Sequence, residues 1–426
     1  MTGSGRSALA ALVAVCVMGA VTCTAMGRPR IDAPVAISSS TEPSSAPEGP
    51  ALSYDPVSGR VLVAWLHGTG DGKSVAARVL DAAGHPVGQQ LELSAFGLTR
   101  GALTIVPAGR TGGFLVSALA GGEQYDQPVT PTTVLVRSNG LVGPTHGVAP
   151  QVVYSSTGYY TSFALAADPR VGRIMAIWYR SATPSESGGV FTEELSAAGE
   201  PRGPVHTVYR ARSTAASPAG SSIEYVPSLK RWLVMFVRQT SSPRAMSPTA
   251  ILASRLLDAH GKPADSVRRV ADLTKSGGPV FETLLGASPA QRMTLLGGYD
   301  DRLRMIPLDA RGRRSGPIRY LTPPERRDPP IKPAGALVTA LSHGTFITYQ
   351  EECDPTSPAD AEACPIDRPI AALHVSGSRS RTTILDSRAR RGGLAMIRTP
   401  HGLLGAWIRL SVDATQPELS AARIHP

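Results

Sequence analysis

Cysteine, lysine, aromatic residues and long apolar runs are all scarce in this chain of 426 residues, and each shortage excludes something. Four cysteines are too few for a disulfide-bound scaffold. The longest apolar run, Ala8 to Val21, is too short to span a bilayer. Only five of the 43 basic residues are lysine (73, 230, 262, 275 and 332), and the arginines are scattered, with short knots such as Arg311, Arg313, Arg314 and Arg388, Arg390, Arg391. A formal charge of +10 and a pI near 9.7 therefore do not form a phosphate-binding stripe, and nucleic acid is not an expected partner. No period of 3.6 competes anywhere in the mature chain, which excludes helical folds. Catalytic signatures are missing too. There is no G-x-S-x-G elbow, H-E-x-x-H or P-loop, and the nine histidines stand singly. No cofactor and no metal are expected.

What remains is globular and rich in turns. The chain is 42% hydrophobic and 18% charged, with 43 glycines and 37 prolines. Arg6, the apolar run and the small residues after it have the order of a secretory signal, residues 1–25, cleaved after Ala25. A second reading makes Cys23 a lipidated cysteine, although Thr22 departs from the usual small residue of a lipobox. Either way the protein is expected outside the cytoplasm, secreted or held at the cell envelope, with a membrane contact only through Cys23. In that compartment Cys353 and Cys364, bracketing "CDPTSPADAEAC", are expected to form a disulfide.

Two stretches nearly repeat: "SYDPVSGRVLVAW" (53–65) and "AADPRVGRIMAIW" (166–178). Asp-Pro and Gly mark a tight turn, and the alternating strand after it ends in an aromatic. The strand recurs as "LVMF", "LLGGY", "FITY" and "LGAW", ending at Phe236, Tyr299, Tyr349 and Trp407, with a weaker copy at 114–119. A second landmark is a hairpin, clearest in "ARVLDAAGHPVGQQLEL" (77–93) and "SRLLDAHGKPADSVRRV" (254–270). Its glycines are Gly84, Gly140, Gly199, Gly261, Gly312 and Gly377, spaced by 56, 59, 62, 51 and 65 residues.

Each unit reads as four short strands, the size of a propeller blade. The fold expected is all-β, a seven-bladed β-propeller in one domain over 26–426. Its blades fall near 49–97, 98–150, 160–210, 217–274, 280–322, 333–387 and 391–426, the last completed by 28–40. An N-terminal strand that finishes the final blade removes two exposed sheet edges at once. The repeat resembles that of secreted bacterial β-propeller proteins, whose blades carry a "strand–W … R-x-x-D-x-x-G-x-P-x-G" pattern. The resemblance implies fold rather than activity. There is no GH…WD pair as in WD40 blades, no ordered Tyr and Trp of kelch, and no S-x-D-x-G-x-T-W box of the sialidase kind.

In such a blade the short turns lie at one end and the long, dissimilar loops at the other, so the loop end is the expected binding face. Two residues beyond the strand aromatics stand His67, Arg180, Arg238, Asp301, Glu351 and Arg409, a mixed-charge collar for an anionic or zwitterionic ligand, or simply a strand meeting water. Tyr159 and Tyr160 offer an aromatic platform. The acidic stretch 351–367 has oxygen ligands suited to Ca²⁺ but no ordered spacing. Trp65, Trp178 and Trp407 read as core between blades. The function expected is a monomeric, non-catalytic binder or scaffold for a protein, peptide or glycan. The alternative is a propeller enzyme acting on extracellular or cell-wall polysaccharide or peptide, with its acid and base on different blades.

Overall fold

A computed structural model describes residues 29–425 apart from 39–47, 69–72, 97–98, 122–127, 149–151, 154–162, 169, 181–187, 212–215, 241–248, 274–279, 288–291, 299–303, 321–330, 342–343, 354–368, 377–378 and 411–416. The described residues form seven antiparallel sheets and no α-helix. Five sheets have four strands in sequence order, beginning at Glu48–Asp55, Phe163–Asp168, Ala216–Val226, Val280–Ala287 and Ile331–Leu341. The sheet that begins at Thr99–Pro107 gains a fifth short strand, Val152–Val153, against Pro128–Val136.

The seventh sheet consists of Ala389–Thr399, Gly402–Leu410 and Pro417–His425, and its outer edge is taken from the other end of the chain. Arg30 and Ile31 pair with His425 and Ile424, and Val35 and Ala36 pair with Ala421 and Ser420. The first strand of each sheet packs on the first strand of the next, and Ala389–Thr399 packs on Glu48–Asp55. The sheets are blades of a closed ring, sealed as the sequence led one to expect.

Two local devices make the blades alike. In the first turn of blade 1 the Asp55 carboxylate accepts the N–H groups of Val57 and Ser58 and then that of Gly113, on blade 2, at 2.8 Å. Asp168 repeats this on blade 3, capping Arg170 N–H and taking the hydroxyl of Tyr225 from blade 4. Burial, then that carboxylate, raise the Tyr225 pKa. The Asp-Pro turn is thus also a link between blades.

The hairpin between third and fourth strands is the second device. Asp81 Oδ1 accepts from the N–H groups of Ala83 and His85, and Asp258 and Asp309 do the same for His260 and Lys262 and for Arg311 and Arg313. Ser196 plays the part on blade 3. Each hairpin then docks on the preceding blade. Thr133 donates to the Gly199 carbonyl at 3.0 Å, Thr192 to that of Gly261 at 3.0 Å, and across the seam Thr399 to that of Ala82 at 3.2 Å. Thr192→Val, which keeps the shape and orphans a buried carbonyl, is expected to cost about 1–3 kcal/mol, read as a lower urea midpoint at unchanged slope.

The core lies between blades. Trp65 packs with Leu404, Ala406 and Ile408 of blade 7, Trp178 with Leu115 and Leu119 of blade 2, and Trp407 with Ile370 of blade 6. Trp232, at the turn end of its strand, is fully buried and donates its indole N–H to the Ala259 carbonyl.

Candidate functional site

Strand direction fixes two ends of the ring. First strands finish and second strands begin at the turn face, so Glu48, Phe163, Ala216 and their counterparts start at the opposite, loop face. There the first strands are irregular in a repeated way. In six of the seven blades the pairing between first and second strands breaks near this end: between Glu48 and Ala51, Arg100 and Thr104, Ala219 and Ser221, Val280 and Glu282, Ala334 and Leu337, and Ala389 and Leu394. Each break lies at or next to the level of the aromatic position of the second strand. The bulged segments contain Gly49, Gly101, Gly220, Gly335 and the pair Gly392 and Gly393. At the seam two bulges touch, since a Cβ on Gly393 would lie 3.4 Å from the Cα of Gly49.

A bulge bends its strand and re-aims what it carries, and bulges concentrate next to active sites. Six at one end of a ring make a mouth whose rim departs from regular pleating. Two carboxylic residues flank these breaks on first strands. Glu48 stands opposite Leu66 on blade 1, and Glu282 stands opposite Gly297 on blade 5. Neither was singled out from sequence. A glycine just ahead of the first apolar residue of the inner strand, as in Gly49-Pro-Ala-Leu, was the available signal for the break beside Glu48, whereas Val280-Phe281-Glu282 has none.

The sequence-derived collar is placed as follows. His67 ends its strand, and its Nε2 lies 2.8 Å from Glu92 Oε2 on the fourth strand of the same blade. Arg180 lies over the Phe191 ring at 5.6 Å and Arg238 over the Tyr209 ring of the preceding blade at 5.1 Å. Such stacking holds each guanidinium over the face of an aromatic ring. The Arg409 Nε lies 3.2 Å from Asp386 Oδ2 of blade 6, an ion-pair distance without hydrogen-bond geometry, and the same oxygen accepts the Trp407 indole N–H at 2.8 Å. Glu351 and Cys353 are placed by backbone alone, opposite Pro333 and Ile331. Asp301, Tyr159, Tyr160, Cys364, Cys23 and most of the acidic stretch 351–367 lie outside the described residues.

No protein-family model matches the chain, and no curated protein matches its sequence. Solved structures similar in fold include an α-L-arabinanase of Penicillium chrysogenum, 11% identical over 75% of this chain and 93% of that one, TM-score 0.49. An α-L-arabinofuranosidase of Fusarium graminearum is 9% identical over 81% and 98%, TM-score 0.49. A sialidase of Trypanosoma rangeli is 8% identical over 92% of this chain and 57% of its own, TM-score 0.46. The expectation of a non-catalytic binder or scaffold is corrected here: the solved structures of similar fold carry the names of glycosidases, not of binding proteins.

Proposed function

We propose that the chain is a propeller enzyme that cleaves an extracellular or cell-wall polysaccharide at the mouth of its loop face. The observation that carries this reading is the placing of Glu48 and Glu282 beside the bulges of two separate first strands at one end of the ring. Most glycoside cleavage uses two carboxyl groups, one to protonate the leaving oxygen and one to activate water or attack the anomeric carbon. Adjacent residues on one strand point to opposite faces, so strands of different blades are the natural source of such a pair. Glu48 and Glu282 take these two roles. Arg180, Arg238 and Arg409 serve as fixed positive groups around the mouth that hold hydroxyl or carboxylate groups of the glycan. Exported chains meet such polymers, in keeping with the signal-like N-terminus.

The test is release of new reducing ends from a panel of arabinan, sialylated glycans and bacterial cell-wall polysaccharide by the purified protein. Reducing ends from at least one polymer, blocked by no metal chelator, are the expected result. Silence on the whole panel removes the proposal. On the polymer that is cut, the combined variant Arg180→Gln, Arg238→Gln and Arg409→Gln is expected to raise KM more than it lowers kcat.

A further inference from the structure

We propose that the turn face rests on an anionic lipid bilayer, leaving the loop face directed away from it. The proposal does not depend on the chemistry at the mouth. Three observations point to the same end of the ring.

The first is charge. Arg110, Arg170 and Lys230 are exposed in the first turns of blades 2, 3 and 4, and Arg311, Arg313 and Arg314 are exposed in the hairpin of blade 5. The acids of the same turns face inward: Asp55 is 0% and Asp168 2% exposed, and the Asp309 Oδ1 is occupied by two backbone N–H groups. Acids do reach the surface here, with Glu200 and Asp81 at 60% and 38% exposure in the hairpins of blades 3 and 1, and the face is positive because exposed bases outnumber them. Lys230 is also the one described non-glycine residue with a positive φ, at 51°, where the matching turns of blades 1 and 3 have Gly59 and Gly172. A strained backbone kept with a lysine in it points to a use for the lysine.

The second is apolar. Val57 and Val171 are 58% and 51% exposed at the tips of those turns, among the most exposed large aliphatic residues described. Basic groups alone suit any polyanion. Aliphatic tips between them suit a bilayer interface, where they bury beneath the headgroups.

The third is the course of the chain. Arg30 pairs with His425, the last described residue of a strand that runs from the loop face to the turn face. The segment preceding Arg30, with the apolar run Ala8–Val21 and Cys23, therefore joins the ring at the turn face. Cys23 is within about 25 Å of contour length of Arg30.

The test is co-sedimentation of the full chain with vesicles of phosphatidylcholine alone and with roughly 30% phosphatidylglycerol added. Stronger partitioning onto the anionic vesicles, reversed by salt, is expected. Each basic contact is worth about fivefold, so Arg110→Gln, Arg170→Gln and Lys230→Gln together should weaken it about a hundredfold. Val57→Ser with Val171→Ser should weaken vesicle binding and leave retention on heparin unchanged. Equal partitioning onto both vesicle types overturns the proposal, as does a triple variant that binds like the parent. If the serine variant binds vesicles normally while the triple variant loses heparin, the partner is a soluble polyanion and the proposal fails. Lys230→Gly removes one charge in a backbone that glycine adopts freely, so its loss of binding has no origin in misfolding.

Discussion

Ile37→Asp is expected to abolish the cooperative native state. Ile37 is fully buried between blades 7 and 1, in one cluster with Val61, Val63, Trp65, Leu404 and Leu419. Its backbone is held as well: its N–H donates to the Leu419 carbonyl at 2.7 Å, and its carbonyl accepts from Arg78 Nη1 at 2.7 Å. A carboxylate there would enter the apolar cluster while the nearby Arg78 guanidinium is already committed to the Ile37 carbonyl, so the cost is about 4 kcal/mol or more. Ile37 follows directly on Val35–Ala36, part of the seal of the ring, and loss of that pairing frees the edge of Pro417–His425. Far-UV dichroism through a thermal ramp should show a melting transition lowered by many degrees or lost. Ser38→Asp, next in the chain, should be far milder.

Gly109→Ala is the second large effect, and Gly59→Ala is its control. Both glycines lie in first turns with positive φ, 73° and 67°. Nothing lies within 4 Å of a Cβ built on Gly59, whereas one built on Gly109 would lie 2.2 Å from the Cα of Gly172 on the next blade. The left-handed backbone alone makes Gly59→Ala cost about 1 kcal/mol. Gly109→Ala carries that and a clash with backbone that no rotamer change relieves, about 3 kcal/mol or more. Urea unfolding of the two variants separates the contributions. Equal losses would mean that the turns of blades 2 and 3 do not meet.

Much of the architecture was legible in the sequence because its devices are local. The Asp55 and Asp81 turns act within four residues, so their signatures repeat with the blades they build. The seal by 28–40 was legible from edge logic, since an unfinished last blade and a solitary first strand complete each other. The bulges were not. An inserted residue leaves the alternation of the inner strand readable on either side, and its only mark is one glycine, as at Gly220. Trp232 was passed over because the pattern ended on Phe236 four residues later, though both are fully buried. Of the collar, the chain positions were legible and the partners were not. Asp386 and Tyr209 reach Arg409 and Arg238 from neighbouring blades, across separations that no local pattern spans. Glu48 and Glu282, which the proposal pairs, lie more than half the chain apart, a separation that no local pattern spans.

The most direct test of the mouth as an active site is the turnover of Glu48→Gln and Glu282→Gln beside the parent protein, on whichever polysaccharide the parent cuts. Both variants should melt like the parent and lose about a hundredfold or more in kcat, with one of them rescued by azide. Two variants that turn over at the parental rate would contradict the assignment outright.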